Sequence, residues 1–203
     1  MGATSPASAW LTSAQAGAPD TVAAWQALGN FAGLEALRRV LEERVHDGDA
    51  PRIFAEQETL ASALEEALVA MPDAALGAPG GEEDWNVAQA FAHATAARRF
   101  LPTWAAMAAA GTWPADNPPV VRPSIPGDPA TTHEELLVLL GKSRRSQERA
   151  AEQLKGHETE PCPLDHPLVG RLRCGDWLLF AGVHDLMHLE QLHRIAGEHR
   201  EDS

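Results

Sequence analysis

The stretch WLLFAGVHDLMH, residues 177–188, decides the fold of this 203-residue chain. Its apolar residues run without a proline into two histidines, His184 and His188. Four residues are close to one turn of an α-helix, at ~3.6 residues per turn, so both imidazoles lie on one helical face. Two imidazoles on one face can converge on a single metal ion. We therefore predict a helix here that carries two metal ligands.

The same helical face contains further polar side chains among apolar ones. Steps of three, four and seven residues from His184 select Trp177, Ala181, His188, Gln191 and Ile195. This mixture predicts that the polar members face the protein interior, where an unpaired polar group costs roughly 1–3 kcal/mol. A metal ion would satisfy both imidazoles at once. Ordinary hydrogen bonding within the core is the alternative.

His93 is the candidate third ligand. It lies in an apolar helix predicted from about Asn86 to Phe100, and small residues on its helical face leave space beside the imidazole. A single histidine on an apolar helix is more often a satisfied core residue, so both interpretations stay open at this point. Gln191, one turn beyond His188, is either a hydrogen-bond partner of the ligands or a packing residue.

The remaining pattern predicts an all-α protein. Apolar residues make up 44% of the chain, with Ala and Leu abundant. Residues 1–52 are predicted to hold a flexible tail, to about residue 19, and one additional helix from about Asp20 to Val45. Residues 53–203 are predicted to form a four-helix bundle. Its four helices are expected at about 53–71, 86–100, 132–154 and 175–195, with loops rich in proline at 111–130 and 161–167.

Charge and composition exclude several classes of function. The formal net charge of −13 and the lack of a basic stripe disfavour binding to nucleic acid or to anionic membranes. No apolar run approaches the roughly 18 residues of a membrane span, and the N-terminus does not have the pattern of a signal peptide. We therefore expect a cytoplasmic protein in which Cys162 and Cys174 remain thiols.

Two motifs resemble the DinB-like superfamily. The first, HPLVGRLRCGDWLLFAGVHDLMHLEQ at 166–191, matches in its HPLVGRL, WLLF and H-x-x-x-H-x-x-Q parts. The second, WNVAQAFAH at 85–93, matches a family motif in which a tryptophan precedes an apolar helix with one histidine. The resemblance spans roughly residues 54–197. Arg98 and Arg99 depart from the pattern, because the family often has acidic residues there.

The resemblance implies a four-helix bundle with up-down-down-up connections. It also implies a divalent metal, zinc or nickel, that is bound by His93, His184 and His188. Some members of the family transfer low-molecular-weight thiols such as bacillithiol or mycothiol, and others are isomerases that use such thiols. A homodimer is the expectation at the level of the family. Substrate choice does not follow from the motifs.

Three neutral imidazoles leave an open coordination position, which is typical of a catalytic site. That position could activate water for hydrolysis or a thiol for transfer to a small-molecule electrophile. A metal-free or vestigial bundle that acts as a stress-related binding module is the alternative. The order His184, Asp185, His188 also resembles the zinc-protease motif His-Glu-x-x-His, but the shorter Asp185 would reach a metal-activated water poorly.

Overall fold

The described part of the chain contains seven helices and one short hairpin, which confirms the predicted all-α class. The computed structural model describes residues 6–29, 33–81, 84–115, 120–122 and 125–201. The helices are α1 (Pro6–Gly17), α2 (Pro19–Leu28), α3 (Leu34–Arg44), α4 (Ala50–Val69), α5 (Val87–Ala109), α6 (His133–Leu154) and α7 (Cys174–Glu201). A 3₁₀ turn spans Asp73–Gly77, and the hairpin strands are β1 (Pro161–His166) and β2 (Gly170–Arg173).

Helices α4 to α7 form the four-helix bundle. Both α4 and α5 pack against both α6 and α7, so α4 lies diagonally across from α5. Side-chain contacts show that α5 runs parallel to α6 and antiparallel to α7, and that α4 runs antiparallel to α6. The result is the predicted up-down-down-up order. The contacts are His93 with His188, Arg98 with Asp185, Arg98 with Ser143, Thr103 with Ser146, His133 with Leu68, and Arg144 with Glu58.

The helix starts follow local capping rules. Asn86 and Gln89 form a capping box at the start of α5, in which each side chain accepts a hydrogen bond from the other residue's backbone N–H. Thr132 caps α6 in the same way. The predicted end of this helix near Phe100 is wrong, because α5 continues through Pro102 to Ala109. Residues on both sides of the proline are buried in the core, and this packing offsets the missing hydrogen bond.

The N-terminal region differs from its prediction in two ways. Residues 6–17 of the expected tail are the helix α1, while residues 1–5 lie outside the described residues. The single helix expected from Asp20 to Val45 is two helices, α2 and α3. Gly29 has φ of +49°, a left-handed conformation that ends α2 and that glycine adopts without strain.

The N-terminal helices dock on the bundle through buried polar contacts. The carboxylate of Glu56, on α4, accepts hydrogen bonds from the backbone N–H of Thr21 at 2.9 Å and from its hydroxyl at 2.8 Å. Asp20 forms ion pairs with Arg44 and Arg52. The predicted domain boundary between residues 52 and 53 falls in the first turn of α4 and stays a prediction.

The proline-containing loop at 161–167 is largely strand, which was not predicted. Strands β1 and β2 pair antiparallel, with Pro161 opposite Arg173 and His166 opposite Gly170. Val121 donates its backbone N–H to the carbonyl of Asp165 at 2.7 Å, on the other edge of β1. The hairpin leads directly into α7, so it lies next to the helix that carries two of the three predicted ligands.

None of the helices in the described ranges combines the length and hydrophobicity of a membrane span.

Candidate metal centre

Helices α5 and α7 bring the three predicted ligands together at one site. His93 lies on the second turn of α5, and His184 and His188 lie on the antiparallel α7. One nitrogen from each of the three imidazoles lies within 4.8 Å of the other two. All three side chains are half-buried, so the site lies at the edge of the core and is accessible from solvent. No other group of three His, Cys, Asp or Glu side chains in the described ranges has this spacing.

The distance between two of the imidazoles suits a metal ion. The Nε2 atoms of His93 and His184 are 3.2 Å apart. Two nitrogen ligands, each about 2.0–2.1 Å from a metal with angles between octahedral and tetrahedral, are about 3.0–3.4 Å apart. The imidazole centroids are 4.6 Å apart for His184 and His188, and 5.5 Å apart for His93 and His188. The three side chains therefore converge without rearrangement of the backbone.

Oxygen acceptors orient two of the three imidazoles. Nδ1 of His93 lies 3.0 Å from the carbonyl oxygen of Ile125, and Nδ1 of His188 lies 2.9 Å from Oε1 of Gln191. These oxygens only accept hydrogen bonds, so each neutral imidazole donates from Nδ1 and presents the lone pair of Nε2. The amide nitrogen of Gln191 donates to the carbonyl of Gly80, which fixes the orientation of that side chain. This arrangement is typical of the supporting contacts around metal-binding histidines.

The segment before α6 helps to orient His93. Gln89 donates its side-chain N–H to the carbonyl of Gly127 at 3.3 Å, two residues after Ile125. Asn86 donates to the carbonyl of Pro129 at 2.9 Å. The same capping box that starts α5 thus attaches the 125–129 segment to the helix that carries His93. The sequence did not predict this contact, because a backbone carbonyl has no signature in the amino-acid pattern.

The imidazoles of His184 and His188 favour the neutral form. Burial lowers the pKa of His188 to about 4, against the effect of its hydrogen bond with Gln191. Burial and the neighbouring imidazoles hold the pKa of His184 well below its usual value. No carboxylate in the described part of the chain affects either pKa. Nδ1 of His184 is buried without a hydrogen-bond partner among the described residues.

Asp185 does not take part in this site. Its side chain is fully buried and forms an ion pair with the equally buried Arg98 of α5. Asp185 would be the general base in the zinc-protease pattern. Because it is buried in the core and bonded to Arg98, the structure argues against zinc-protease chemistry. Arg98, a departure from the family pattern, is the partner that the sequence did not reveal.

Five other histidines, whose side chains the structure describes, do not join the triad. His46, His133 and His157 each pair with a carboxylate elsewhere on the protein, and the imidazole of His193 stacks on Trp10. His166 lies at the end of β1 beside Trp177 and Phe180.

The two cysteines are buried, neighbouring thiols, Cys162 on β1 and Cys174 at the start of α7. Cys162 and burial raise the pKa of Cys174, as expected for an unreactive thiol.

A family model described as the DinB superfamily matches residues 56–192. The chain belongs to the DinB superfamily. No curated protein and no solved structure matches it significantly. The DinB match includes α4 through most of α7, and with them all three histidines of the site. Helices α1 to α3 precede the DinB match and are an addition on this chain.

Proposed function

We propose that this DinB protein is a metal-dependent enzyme that activates a small nucleophile at a three-histidine centre. His93, His184 and His188 would bind a divalent cation, zinc or nickel, through their Nε2 atoms. A cation in this position supplies Lewis acidity, which lowers the pKa of a water or thiol bound at its open position. The observation that carries the proposal is the convergence of three imidazoles, of which His93 and His188 already donate their Nδ1–H groups to oxygen acceptors.

The ligand chemistry fits a borderline divalent metal. Imidazole nitrogen suits zinc and nickel, whereas magnesium and calcium prefer oxygen ligands, and no carboxylate of the described residues joins the three imidazoles. Three protein ligands leave at least one position for an exogenous molecule. The half-buried side chains also leave a route for a small molecule from solvent. These features support a catalytic site over a closed structural one.

Thiol transfer is the reaction that the surroundings favour. Three neutral ligands leave the full charge of a divalent cation uncompensated, which favours an anionic ligand such as a thiolate. Hydrolysis by activated water commonly uses a carboxylate general base, as in the zinc proteases. The nearest carboxylate in the sequence, Asp185, is instead bonded to Arg98. We therefore propose a low-molecular-weight thiol as the nucleophile and a small electrophile as the second substrate.

The experiment is a conjugation assay with purified protein that carries no affinity tag. Bacillithiol, mycothiol and glutathione are each combined with 1-chloro-2,4-dinitrobenzene, with zinc or nickel present and again after chelation. We expect metal-dependent conjugation with at least one thiol and its loss in His184→Ala. His46→Ala is the control, because His46 is an exposed histidine far from the site in sequence. Metal-loaded protein that is inactive with all three thiols but hydrolyses p-nitrophenyl acetate would replace thiol transfer with hydrolysis. A protein that binds no metal would be the vestigial bundle.

A further inference from the structure

A fourth imidazole, that of His166 on β1, packs against α7 about one helical turn before His184. The imidazole centroid of His166 is 5.8 Å from the ring centroid of Phe180 and 6.2 Å from that of Trp177. Phe180 precedes His184 by four residues, a rise of about 6 Å along the helix. Trp177 precedes His184 by two helical turns on the same face of α7, and His166 also contributes to lowering the pKa of His184. His166 therefore lies at the margin of the triad.

The turn of the hairpin fixes which nitrogen of His166 carries the proton. Nδ1 accepts hydrogen bonds from the backbone N–H groups of Leu168 at 3.1 Å and Val169 at 3.4 Å. Nδ1 therefore has no proton, and in the neutral imidazole the proton is on Nε2. Burial lowers the pKa of His166, so the neutral form predominates at physiological pH. Nε2 has no hydrogen-bond partner in the described ranges, although the imidazole is only half-buried.

The N-terminal helices hold this turn in place. Arg38, on α3, donates to the carbonyl of Val169 at 2.6 Å. Gly170 has φ of +67°, and a Cβ atom there would lie 2.5 Å from the guanidinium of Arg38. A glycine is thus required both by the backbone conformation and by the close approach of Arg38. One role of the added N-terminal region is to support the turn that positions His166.

We propose that His166 binds the substrate of the metal site, donating a hydrogen bond from Nε2 to an acceptor oxygen of the electrophile. This inference rests on the proposed function. A neutral N–H donor beside aromatic side chains suits a carbonyl oxygen on a largely apolar molecule. A phosphate would require a free cationic partner, and Arg38, the cation that contacts this turn, is bonded to the carbonyl of Val169. The electrophile is therefore a carbonyl compound, with its carbonyl oxygen at His166 and its reactive carbon toward the metal-activated nucleophile.

Two substitutions distinguish the role of His166 as a hydrogen-bond donor to the substrate from its structural role in the turn. In His166→Asn, the amide oxygen can still accept from the turn, but no group reaches the position of Nε2. In His166→Gln, the longer side chain can place its amide N–H near that position. The probe is acetohydroxamate, which chelates metals through its carbonyl and N–O oxygens, and a metal-bound oxygen can still accept a hydrogen bond from a nearby donor. Its affinity for cobalt-loaded protein is measured from the visible absorption of cobalt, together with cobalt affinity and the thermal midpoint. His46→Asn is the control.

We expect His166→Asn to weaken acetohydroxamate binding roughly tenfold, the effect of one lost hydrogen bond, with cobalt affinity and thermal midpoint unchanged. His166→Gln should recover most of the loss. Equal acetohydroxamate affinity in His166→Asn and the unaltered protein would overturn the role of His166 while leaving the metal site intact. A parallel loss of cobalt affinity or thermal midpoint in His166→Asn, without rescue by His166→Gln, would also overturn it. If the unaltered protein takes up no cobalt, the proposed function fails and this inference fails with it.

Discussion

Helix α7 carries two polar clusters that begin at neighbouring residues but are built in opposite ways. The first is the triad, in which His184 and His188 meet His93. The second is the fully buried ion pair of Asp185 with Arg98. The triad consists of three half-buried imidazoles, whereas the ion pair consists of two opposite charges without access to solvent. The difference separates a site that can receive a ligand from a pair whose opposite charges already compensate each other.

Arg98 connects all four helices of the bundle. Besides Asp185 on α7, its guanidinium donates to Oε1 of Gln147 at 2.5 Å, to Oγ of Ser143 at 3.2 Å and to the carbonyl of Gln57 at 3.3 Å. Burial raises the pKa of Asp185 to about 7, and Arg98 opposes this shift. Neither buried charge is compensated without the other. We therefore infer that the role of this cluster is structural, to hold the four helices in register.

The largest effect is expected from removing one member of the ion pair. Arg98→Met leaves Asp185 as a buried carboxylate without a cation, and the free energy of unfolding should fall by about 3–5 kcal/mol. Urea unfolding of the metal-free protein, followed by circular dichroism, measures this change. A loss below about 1 kcal/mol would contradict the structural role of the pair.

The double variant Arg98→Met with Asp185→Leu is the matched control. Replacing both charges with apolar side chains should recover most of the lost stability, because no uncompensated charge remains. Its zinc affinity should stay within about threefold of the unaltered protein if the two clusters act independently. A double variant that remains as unstable as Arg98→Met would show that the pair itself is not the cause.

The next largest effect is expected from removing a hydrogen bond that orients one imidazole of the triad. Gln191→Leu removes the oxygen that accepts from Nδ1 of His188, and zinc affinity should fall about 10–100-fold while the fold is retained. Competition with a chromogenic chelator measures the affinity. Gln191→Glu keeps an acceptor at this position and should retain more affinity than the leucine variant. Unchanged affinity in Gln191→Leu would show that packing alone orients His188.

The smallest effect is a dependence of stability on pH. The pKa of His188 is about 4 in the folded protein, below its usual 6.5, so the unfolded chain takes up a proton first as the pH falls. The stabilising contribution is complete above about pH 6.5 and is lost toward pH 4. His188→Gln should therefore reduce the fall in unfolding free energy between pH 7 and 5, measured by urea titration in EDTA. The same fall in both proteins would contradict the assigned pKa.

The triad could be predicted from sequence because its pattern is local. His184 and His188 share a helical face through their spacing, and the motif at 85–93 identified His93. The up-down-down-up order of the four helices was predicted from the family resemblance and not from the periodicity of apolar residues. Arg98 and Asp185 could not be paired in this way, because neither residue belongs to a known motif that would place it beside the other.

The errors have physical reasons. Helix α1 is rich in small residues and lacks a clear apolar stripe, so it resembled a flexible tail. The hairpin was missed because Pro161 and Pro163 usually exclude a strand, yet a two-stranded sheet leaves edges that need no proline N–H. The role of His166 depends on the backbone of its turn, which the sequence does not specify.

Metal content tests the central claim most directly. Untagged protein is purified, dialysed against zinc or nickel and measured by mass spectrometry of the metals, beside His184→Ala and the control His46→Ala. We predict about one zinc or nickel per chain in the unaltered protein and in His46→Ala, and a loss of affinity greater than about 100-fold in His184→Ala. Much less than one metal per chain in the unaltered protein, or equal metal content in His184→Ala, would contradict the account.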